Sequence, residues 1–206
     1  MHKKLVTVVD YEIGNLFSVV NTIKDNGFRA KISNNKYELE KSDLLILPGV
    51  GTFYKAMNNL NKLNLVEYLK DYSKDGRPLL GICLGMQLFA DYSNEILKCE
   101  GLGIIPGRVE SIKKTDSHIG WNNIETKKNS CLEKFNNAEV YFNHSFAYKC
   151  SDEFVHATSV VNNEMKKIIA CVKKDKTVGL QFHPEKSQKI GKTLLGNLLD
   201  QLIEQC

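Results

Sequence analysis

The chain has 206 residues, of which 42% are hydrophobic and 25% charged, proportions that fit a globular protein and exclude a disordered or fibrous one. Its 28 Lys and Arg against 24 Asp and Glu leave a net charge of only +4, so we expect no nucleic-acid binding. No apolar run approaches the roughly 20 residues of a membrane span, and no secretion signal is recognisable, so we expect a cytoplasmic protein without membrane contact.

The first half of the sequence alternates short apolar runs with stretches of helical periodicity. The runs are rich in valine, leucine and isoleucine, as in buried parallel strands. Gly27 follows the first helical stretch at a position typical of a C-cap. This β-α-β-α order predicts an α/β fold with a mostly parallel central sheet between helical layers. The predicted strands are residues 5–9, 28–32, 43–47 and 78–83, and the predicted helices lie at 15–26, around 60–69 and from 84 onward.

The second half contains closely spaced strand-like segments separated by turn residues, a pattern that favours antiparallel strands attached to the parallel sheet. Helical spacing returns in the last segment, residues 188–205. Because no linker rich in Pro, Gly or Ser interrupts the chain, we expect one domain over residues 1–206. The predicted strands lie near residues 106–113, 119–125, 138–143, 154–160, 168–173 and 177–182.

The pentapeptide Gly81-Ile82-Cys83-Leu84-Gly85 has the form G-x-C-x-G and lies where a predicted strand runs into a predicted helix. This arrangement is a nucleophile elbow, in which the glycines allow a sharp turn that exposes the central side chain. The start of the following helix favours a thiolate there. A buried packing cysteine between two glycines has the same pattern, so Cys83 needs a partner to count as a nucleophile.

His183 supplies such a partner in Gln181-Phe182-His183-Pro184-Glu185, at the end of a predicted strand. Pro184 restricts the backbone, so His183 and Glu185 should project from a rigid turn. The carboxylate can hold one ring nitrogen while the other faces sulfur. We therefore predict a triad of Cys83, His183 and Glu185.

The glycine-flanked turn Pro48-Gly49-Val50-Gly51 ends the third predicted strand. Backbone N–H groups in such a turn can point into the cleft above the sheet. The N–H groups of Val50 and Leu84 would then form an oxyanion hole. An ordinary tight turn is the alternative interpretation.

These residues resemble class I (triad-type) glutamine amidotransferases, and within that class the glutaminase subunits of imidazole glycerol phosphate synthase. The shared motifs follow the family's order along nearly the whole chain. H-x-G-W-N is the most discriminating of them. The motifs are Asp10 to Asn15, Leu47 to Phe53, Gly81 to Gln87, His118 to Asn122, Tyr141 to Phe146 and Gln181 to Ser187.

The resemblance implies a glutaminase that hydrolyses L-glutamine and passes ammonia to a separate (βα)8 cyclase subunit as a heterodimer. That subunit would make imidazole glycerol phosphate and an aminoimidazole carboxamide ribonucleotide, and no metal or organic cofactor is implied. Gly49, Gly51, Gln87, His144 and Ser145 would bind the substrate. The resemblance places Asn15, Trp121 and Lys186 at the partner interface.

Two positions depart from the family pattern. Glu12 stands where the family usually has glycine, and Ser117 where it commonly has proline. Neither touches the predicted triad, so both bear on the partner rather than on the chemistry. A paralogous glutaminase that supplies ammonia for nitrogen-bearing surface sugars, and a non-catalytic regulatory module on the same fold, remain as alternatives.

Overall fold

The computed structural model describes residues 3–112, 117–161 and 166–204. The strands are β1 (Leu5–Val9), β2 (Arg29–Ser33), β3 (Leu44–Leu47), β4 (Leu79–Ile82), β5 (Tyr92–Ser93), β6 (Cys99–Glu100), β7 (Arg108–Ser111), β8 (His118–Thr126), β9 (Glu139–His144), β10 (Phe146–Lys149), β11 (Val155–Val161), β12 (Lys166–Lys174) and β13 (Thr177–Leu180). Nine of them form one large sheet in the order β2-β1-β3-β4-β13-β12-β11-β8-β9. A smaller sheet has the order β10-β7-β5-β6.

The nine-stranded sheet is parallel in one half and antiparallel in the other. The strands β2, β1, β3, β4 and β13 pair in parallel, whereas β12, β11, β8 and β9 continue the sheet with antiparallel pairing. The strands β3, β4 and β13 are buried along their whole length, as the continuous apolar runs of β3 and β4 predict. The strand β13 corrects an expectation, because it lies in the part of the chain predicted to be antiparallel but pairs in parallel with β4. The α/β fold with antiparallel strands in the C-terminal half is thereby confirmed.

Helices cover both faces of the parallel half, and each face has its own apolar core. One core includes Ile23 of the first helix and Leu198 of the last, and the other includes Leu60 and Leu69. Within the described ranges, no helix has the length and apolar character needed to cross a membrane. The helices are α1 (Leu16–Asp25), α2 (Lys36–Glu40), α3 (Phe53–Lys62), α4 (Val66–Lys74), α5 (Leu84–Gln87) and α6 (Gln188–Glu204).

Several local predictions differ from the structure. The helical stretch around residues 60–69 is two helices, because Asn64 has a φ of 56° and Leu65 N–H bonds back to the Leu60 carbonyl at 2.9 Å. The helix that follows Cys83 is only four residues long. The second strand begins one residue later than expected, and helix α2, strand β10 and the four-stranded sheet were not predicted. Residue 113 of one predicted strand and residue 205 of the last predicted helix lie outside the described residues.

Candidate active site

Two adjacent parallel strands bring the candidate catalytic residues to one edge of the large sheet. In the pairing of β4 with β13, Ile82 lies opposite Leu180. Cys83 is the first residue after β4, and its N–H donates to the Leu180 carbonyl at 2.7 Å. The segment after β13 leads through Gln181 to His183. Because parallel strands share their carboxyl edge, the thiol and the imidazole leave the sheet side by side.

The backbone at Cys83 has the geometry of a nucleophile elbow. Its φ of 53° and ψ of −108° are unusual for a residue with a side chain. The two flanking glycines are required by close contacts. A Cβ on Gly85 would lie 1.7 Å from the Leu47 carbonyl oxygen, and one on Gly81 would lie 2.6 Å from the Met86 nitrogen. The turn therefore forms only with glycine at both positions.

His183 and Glu185 form a buried pair beside the cysteine. The Nδ1 atom of His183 lies 2.7 Å from Glu185 Oε1, and the two side chains are only 2% and 4% exposed. A short 3-10 turn at Pro184–Lys186 holds this spacing, and the Ser187 hydroxyl donates to the His183 carbonyl at 2.6 Å. The Nε2 atom is buried and has no hydrogen bond of regular geometry within the described residues. Only this nitrogen is free to exchange a proton.

Electrostatics favour the protonated form of His183. Burial by itself lowers the pKa of the ring, but the charge of Cys83, contact with its side chain and the Glu185 carboxylate together raise the pKa to about 10. The other carboxylate oxygen, Glu185 Oε2, is buried with no hydrogen-bond partner in the described part of the chain. A buried carboxylate with one oxygen unpaired is stabilised by a nearby cation, and protonated His183 is that cation.

A cleft of about 250 Å³ opens in front of Cys83. The cysteine is 5% exposed, and His183 lies behind it at 1% exposure. The cleft has a half-open mouth and walls from both halves of the large sheet, so a small polar molecule can reach the sulfur from one side. The residues that line it are Val50, Gly51, Cys83, Leu84, Gln87, Glu95, Asn143, His144, Ser145 and Phe146.

The predicted oxyanion loop borders this cleft and is anchored from below. The buried Tyr11 hydroxyl donates to the Pro48 carbonyl. A Cβ on Gly49 would lie 2.5 Å from that hydroxyl oxygen and 2.9 Å from Leu84 Cβ. A side chain at Gly49 would thus point below the cleft, whereas Val50 and Gly51 line it; substrate binding by Gly49, which the resemblance implies, stays a prediction. Burial, together with the charge of Cys83, raises the pKa of Tyr11, so its phenol stays protonated and donates.

Gln87 and His144 meet at one backbone oxygen in the wall of the cleft. Gln87 Nε2 donates to the Phe146 carbonyl at 2.8 Å, and His144 Nδ1 lies 2.7 Å from the same oxygen. A carbonyl only accepts, so His144 carries its proton on Nδ1. Its Nε2 then accepts from His118 Nδ1 at 3.0 Å. Burial lowers the pKa of His144 to about 3, so this ring is neutral and holds the wall in one arrangement.

The sequence analysis gave no role to four residues of the site, namely Tyr11, Glu95, Asn143 and Gln181. Glu95 lines the cleft, where burial raises the pKa of its carboxyl and the Phe53 N–H donates to it at 2.6 Å. Tyr11 and Gln181 are fully buried behind the cleft. Tyr11 and Gln181 each lie in a motif of the family, but only tertiary contacts show what their side chains do. Across residues 3–112, 117–161 and 166–204, no group of three or more His, Cys, Asp or Glu could hold a metal ion.

The residues assigned to the partner interface lie outside the cleft. Trp121 is 40% exposed and packs edge-on against Tyr141, with ring centroids 5.8 Å apart. Lys186 Nζ lies 5.9 Å from the Tyr141 ring, so these three side chains form one exposed cluster. Asn15 has a local role, because its side chain accepts from the Ser18 N–H at 3.4 Å and caps helix α1.

Comparison with known proteins places this geometry in a family. The sequence profile described as glutamine amidotransferase class-I matches residues 7–202. Imidazole glycerol phosphate synthase subunit HisH 1 of Campylobacter jejuni is 42% identical over 200 residues, covering 94% of this chain and 98% of that protein. Imidazole glycerol phosphate synthase subunit HisH of Lactococcus lactis is 41% identical over 203 residues, covering 97% and 100%.

Solved structures agree on the fold. A crystal structure of a glutamine amidotransferase superposes with a TM-score of 0.77 at 19% identity, covering 96% of this chain and 98% of that one. A glutamine amidotransferase from Thermotoga maritima superposes with a TM-score of 0.74 at 20% identity, covering 99% and 100%. Together with the matches along nearly its whole length, these findings show that the chain belongs to the class I glutamine amidotransferases.

Proposed function

We propose that this chain is a single-domain glutaminase subunit in which Cys83, His183 and Glu185 hydrolyse L-glutamine. The observation that carries the proposal is the His183–Glu185 pair at 2.7 Å, with the free ring nitrogen beside a cysteine held in an elbow at the base of a cleft. Each group has the position that its chemical role requires.

The reaction follows from these positions. The Cys83 thiolate attacks the side-chain carboxamide carbon of glutamine, and the N–H groups of Val50 and Leu84 stabilise the oxyanion. Protonated His183 gives its Nε2 proton to the departing nitrogen, so ammonia leaves and a γ-glutamyl thioester remains. His183 then removes a proton from water, which attacks the thioester. Glutamate leaves, the thiolate returns, and Glu185 keeps the imidazolium oriented throughout.

Substrate specificity follows from the polar lining of the cleft. Gln87 uses its Nε2 in two internal hydrogen bonds, which leaves its Oε1 as the acceptor of that side chain. This oxygen and the Glu95 carboxylate suit the α-ammonium group of glutamine. Gly51 and Ser145 offer backbone and hydroxyl donors for the α-carboxylate. A free amino acid with both charged groups is therefore preferred over a peptide-bound glutamine side chain.

The ammonia acceptor is proposed from the relatives. Proteins about 40% identical along nearly the full length are named as subunits of imidazole glycerol phosphate synthase. We infer a heterodimer with a (βα)8 cyclase subunit that uses the ammonia to make imidazole glycerol phosphate and an aminoimidazole carboxamide ribonucleotide. The cluster of Trp121, Tyr141 and Lys186 suits such docking, because Trp and Tyr side chains are enriched at the centres of protein interfaces.

Glutamate release is the decisive assay. The purified chain is assayed alone, with a histidine-pathway (βα)8 cyclase plus its ribonucleotide ligand, and with a cyclase-like protein from surface-sugar synthesis. We expect little hydrolysis by the chain alone and activation by about 100-fold or more with the histidine-pathway protein, the scale set by one oxyanion donor. Full turnover without any partner would contradict the coupled-subunit proposal, and activation only by the other protein would identify a different acceptor.

Two variants separate the chemistry from the docking. Cys83→Ala in the activated complex should abolish glutamate release, whereas Cys99→Ala, a partly exposed cysteine outside the cleft, should not. Lys186→Ala should weaken activation while leaving thioester formation at Cys83 intact. Near-normal turnover by Cys83→Ala would overturn the nucleophile assignment.

A further inference from the structure

Gln181 is a fully buried amide whose two polar ends both face residues of the site. Its Nε2 lies 3.8 Å from Cys83 Sγ, and its Oε1 lies 3.1 Å from Gln87 Nε2. The side chain is 0% exposed, so it cannot contact solvent and does not line the cleft. A buried amide is costly unless both ends are hydrogen-bonded, so its presence beside the sulfur requires an explanation.

The orientation of this amide is determined by a backbone carbonyl two steps away. The Phe146 carbonyl can only accept, so the Gln87 atom at 2.8 Å from it is the amide nitrogen. That nitrogen also faces Gln181, and because it can only donate, the Gln181 atom opposite it is the oxygen. The NH2 group of Gln181 must therefore point toward Cys83. The Phe146 carbonyl is itself held in place by His144 at 2.7 Å.

Two polar neighbours of the sulfur serve different protonation states. The Asn143 carbonyl, 3.9 Å from Sγ, can only accept and so suits the protonated thiol. The Gln181 amide, at 3.8 Å, donates and so suits the thiolate. Unlike His183, the amide has no proton to transfer in the reaction, so it adds a fixed donor without competing for the acid–base role.

We propose that Gln181 donates a hydrogen bond to the Cys83 thiolate, in an orientation fixed by Gln87, and so increases the fraction of reactive sulfur. The proposal rests on Cys83 being the nucleophile and adds a catalytic residue beyond the triad and the oxyanion loop. At 3.8 Å the contact is long for a hydrogen bond, and negative charge on the sulfur strengthens it, because charge-assisted hydrogen bonds are stronger than neutral ones.

The test is the pH dependence of Cys83 alkylation by iodoacetamide, followed by mass spectrometry of the Cys83 peptide in the full chain. Gln181→Met removes both polar ends at similar size. Gln181→Glu keeps an acceptor for Gln87 and puts a carboxyl oxygen, negatively charged when ionised, in place of the donor that faces the sulfur. Cys99 in the same digest is the internal reference, because its sulfur bonds locally to the Glu100 carbonyl. Thermal unfolding is recorded for each protein.

At pH values well below the midpoint, we expect Cys83 alkylation to slow on the order of tenfold in Gln181→Met and at least as much in Gln181→Glu, with the pH midpoint of alkylation moving upward by about one unit. Cys99 should be unaffected. An unchanged midpoint with only a lower melting temperature would overturn the proposal. So would a wild-type midpoint in Gln181→Glu, because the residue would then serve only to hold Gln87.

A third variant tests the orientation. Gln87→Met leaves Gln181 in place but removes the donor that fixes its amide, so we expect a smaller upward shift of the midpoint. No shift would contradict the proposed orientation. This readout needs no turnover, so it is separate from the proposed function. Glutamate release by Cys83→Ala tests the nucleophile, and alkylation of the Gln181 variants tests the donor.

Discussion

The high pKa of His183 gives the sharpest test of the proposed ion pair with Cys83. Burial alone lowers this pKa, so the value of about 10 depends on the negative partner groups. Cys83→Ser removes the thiolate while keeping a side chain of similar size. An opposite charge within about 4–6 Å changes a pKa by about 1–3 units, and each unit corresponds to about 1.4 kcal/mol. We therefore expect the pKa of His183 to fall by about 1–3 units in Cys83→Ser, or about 1.4–4 kcal/mol.

The measurement is a proton NMR titration of protein carrying 13C-labelled histidine, with the His183 resonance assigned by its loss in His183→Asn. In the unmodified protein the ring should keep its proton up to pH about 10, the range in which it can act as the acid toward the leaving nitrogen. In Cys83→Ser the proton should be lost at lower pH. His156 lies beside Cys131, not Cys83, so its chemical shifts at a fixed pH should be the same in both proteins. A His183 midpoint that stays near 10 in Cys83→Ser would refute the ion pair.

Three further predictions concern the elbow, the triad and the first loop. Gly85→Ala should reduce the free energy of unfolding by about 3 kcal/mol or more in urea denaturation, because its Cβ would lie 1.7 Å from the Leu47 carbonyl oxygen. The matched control, Gly76→Ala, has a φ of 73° but no atom within 4 Å, so it should cost only about 1 kcal/mol, and equal losses would argue against the clash. His183→Asn should lower glutamate release in the activated complex by about 10²–10⁴-fold. Glu185→Gln should lower it by less, since an amide oxygen can still orient the ring. An equal loss in both variants would show that Glu185 does more than orient the imidazole. Glu12→Gly should raise the free energy of unfolding by up to about 1 kcal/mol, because Glu12 has a φ of 64°, while Glu12→Ala should bring no gain; destabilisation by the glycine would show that the Glu12 side chain contributes instead.

The parallel half of the fold could be predicted because its signals are local. Each buried parallel strand is a continuous apolar run, and the elbow and the H-P-E turn follow directly from strand ends. The helices between residues 53 and 74 were less predictable. Leucine spacing continues across the break at Asn64, and the left-handed backbone there is not visible in a hydrophobic pattern. Strand boundaries moved by one residue both at the sheet edge, as in β2, and in its interior, as in β3 and β4, because hydrophobic pattern does not fix where a strand begins or ends.

The catalytic candidates were predictable for the same reason, and their supporting residues were not. Cys83 and His183 are recognisable because each lies in a short motif with a mechanical role. Tyr11 and Gln181 act through residues 37 and 98 positions away in the chain, namely Pro48 and Cys83. Glu95 reaches the cleft from a loop without any pattern of its own. No periodicity encodes such contacts, so only the folded structure shows them.

Glu12 lies in a loop whose backbone conformation favours glycine. The loop from Asp10 to Asn15 requires positive φ values at both Glu12 and Gly14, 64° and 109°, which glycine adopts more easily. The loop contacts the oxyanion segment directly, since Tyr11 donates to the Pro48 carbonyl and a Cβ on Gly14 would lie 3.5 Å from Gly49 Cα. The Glu12 N–H bonds to Asp10 Oδ1 at 3.1 Å, which gives the strained residue local support. In the proposed complex, a partner that presses on this exposed loop would act on the turn that carries the Val50 N–H through the hydrogen bond from Tyr11 to the Pro48 carbonyl. In the proposed complex, we expect glutamate at position 12 to restrict this exposed loop more than a glycine would, and so to change how docking reaches the Val50 N–H while leaving the triad unaltered.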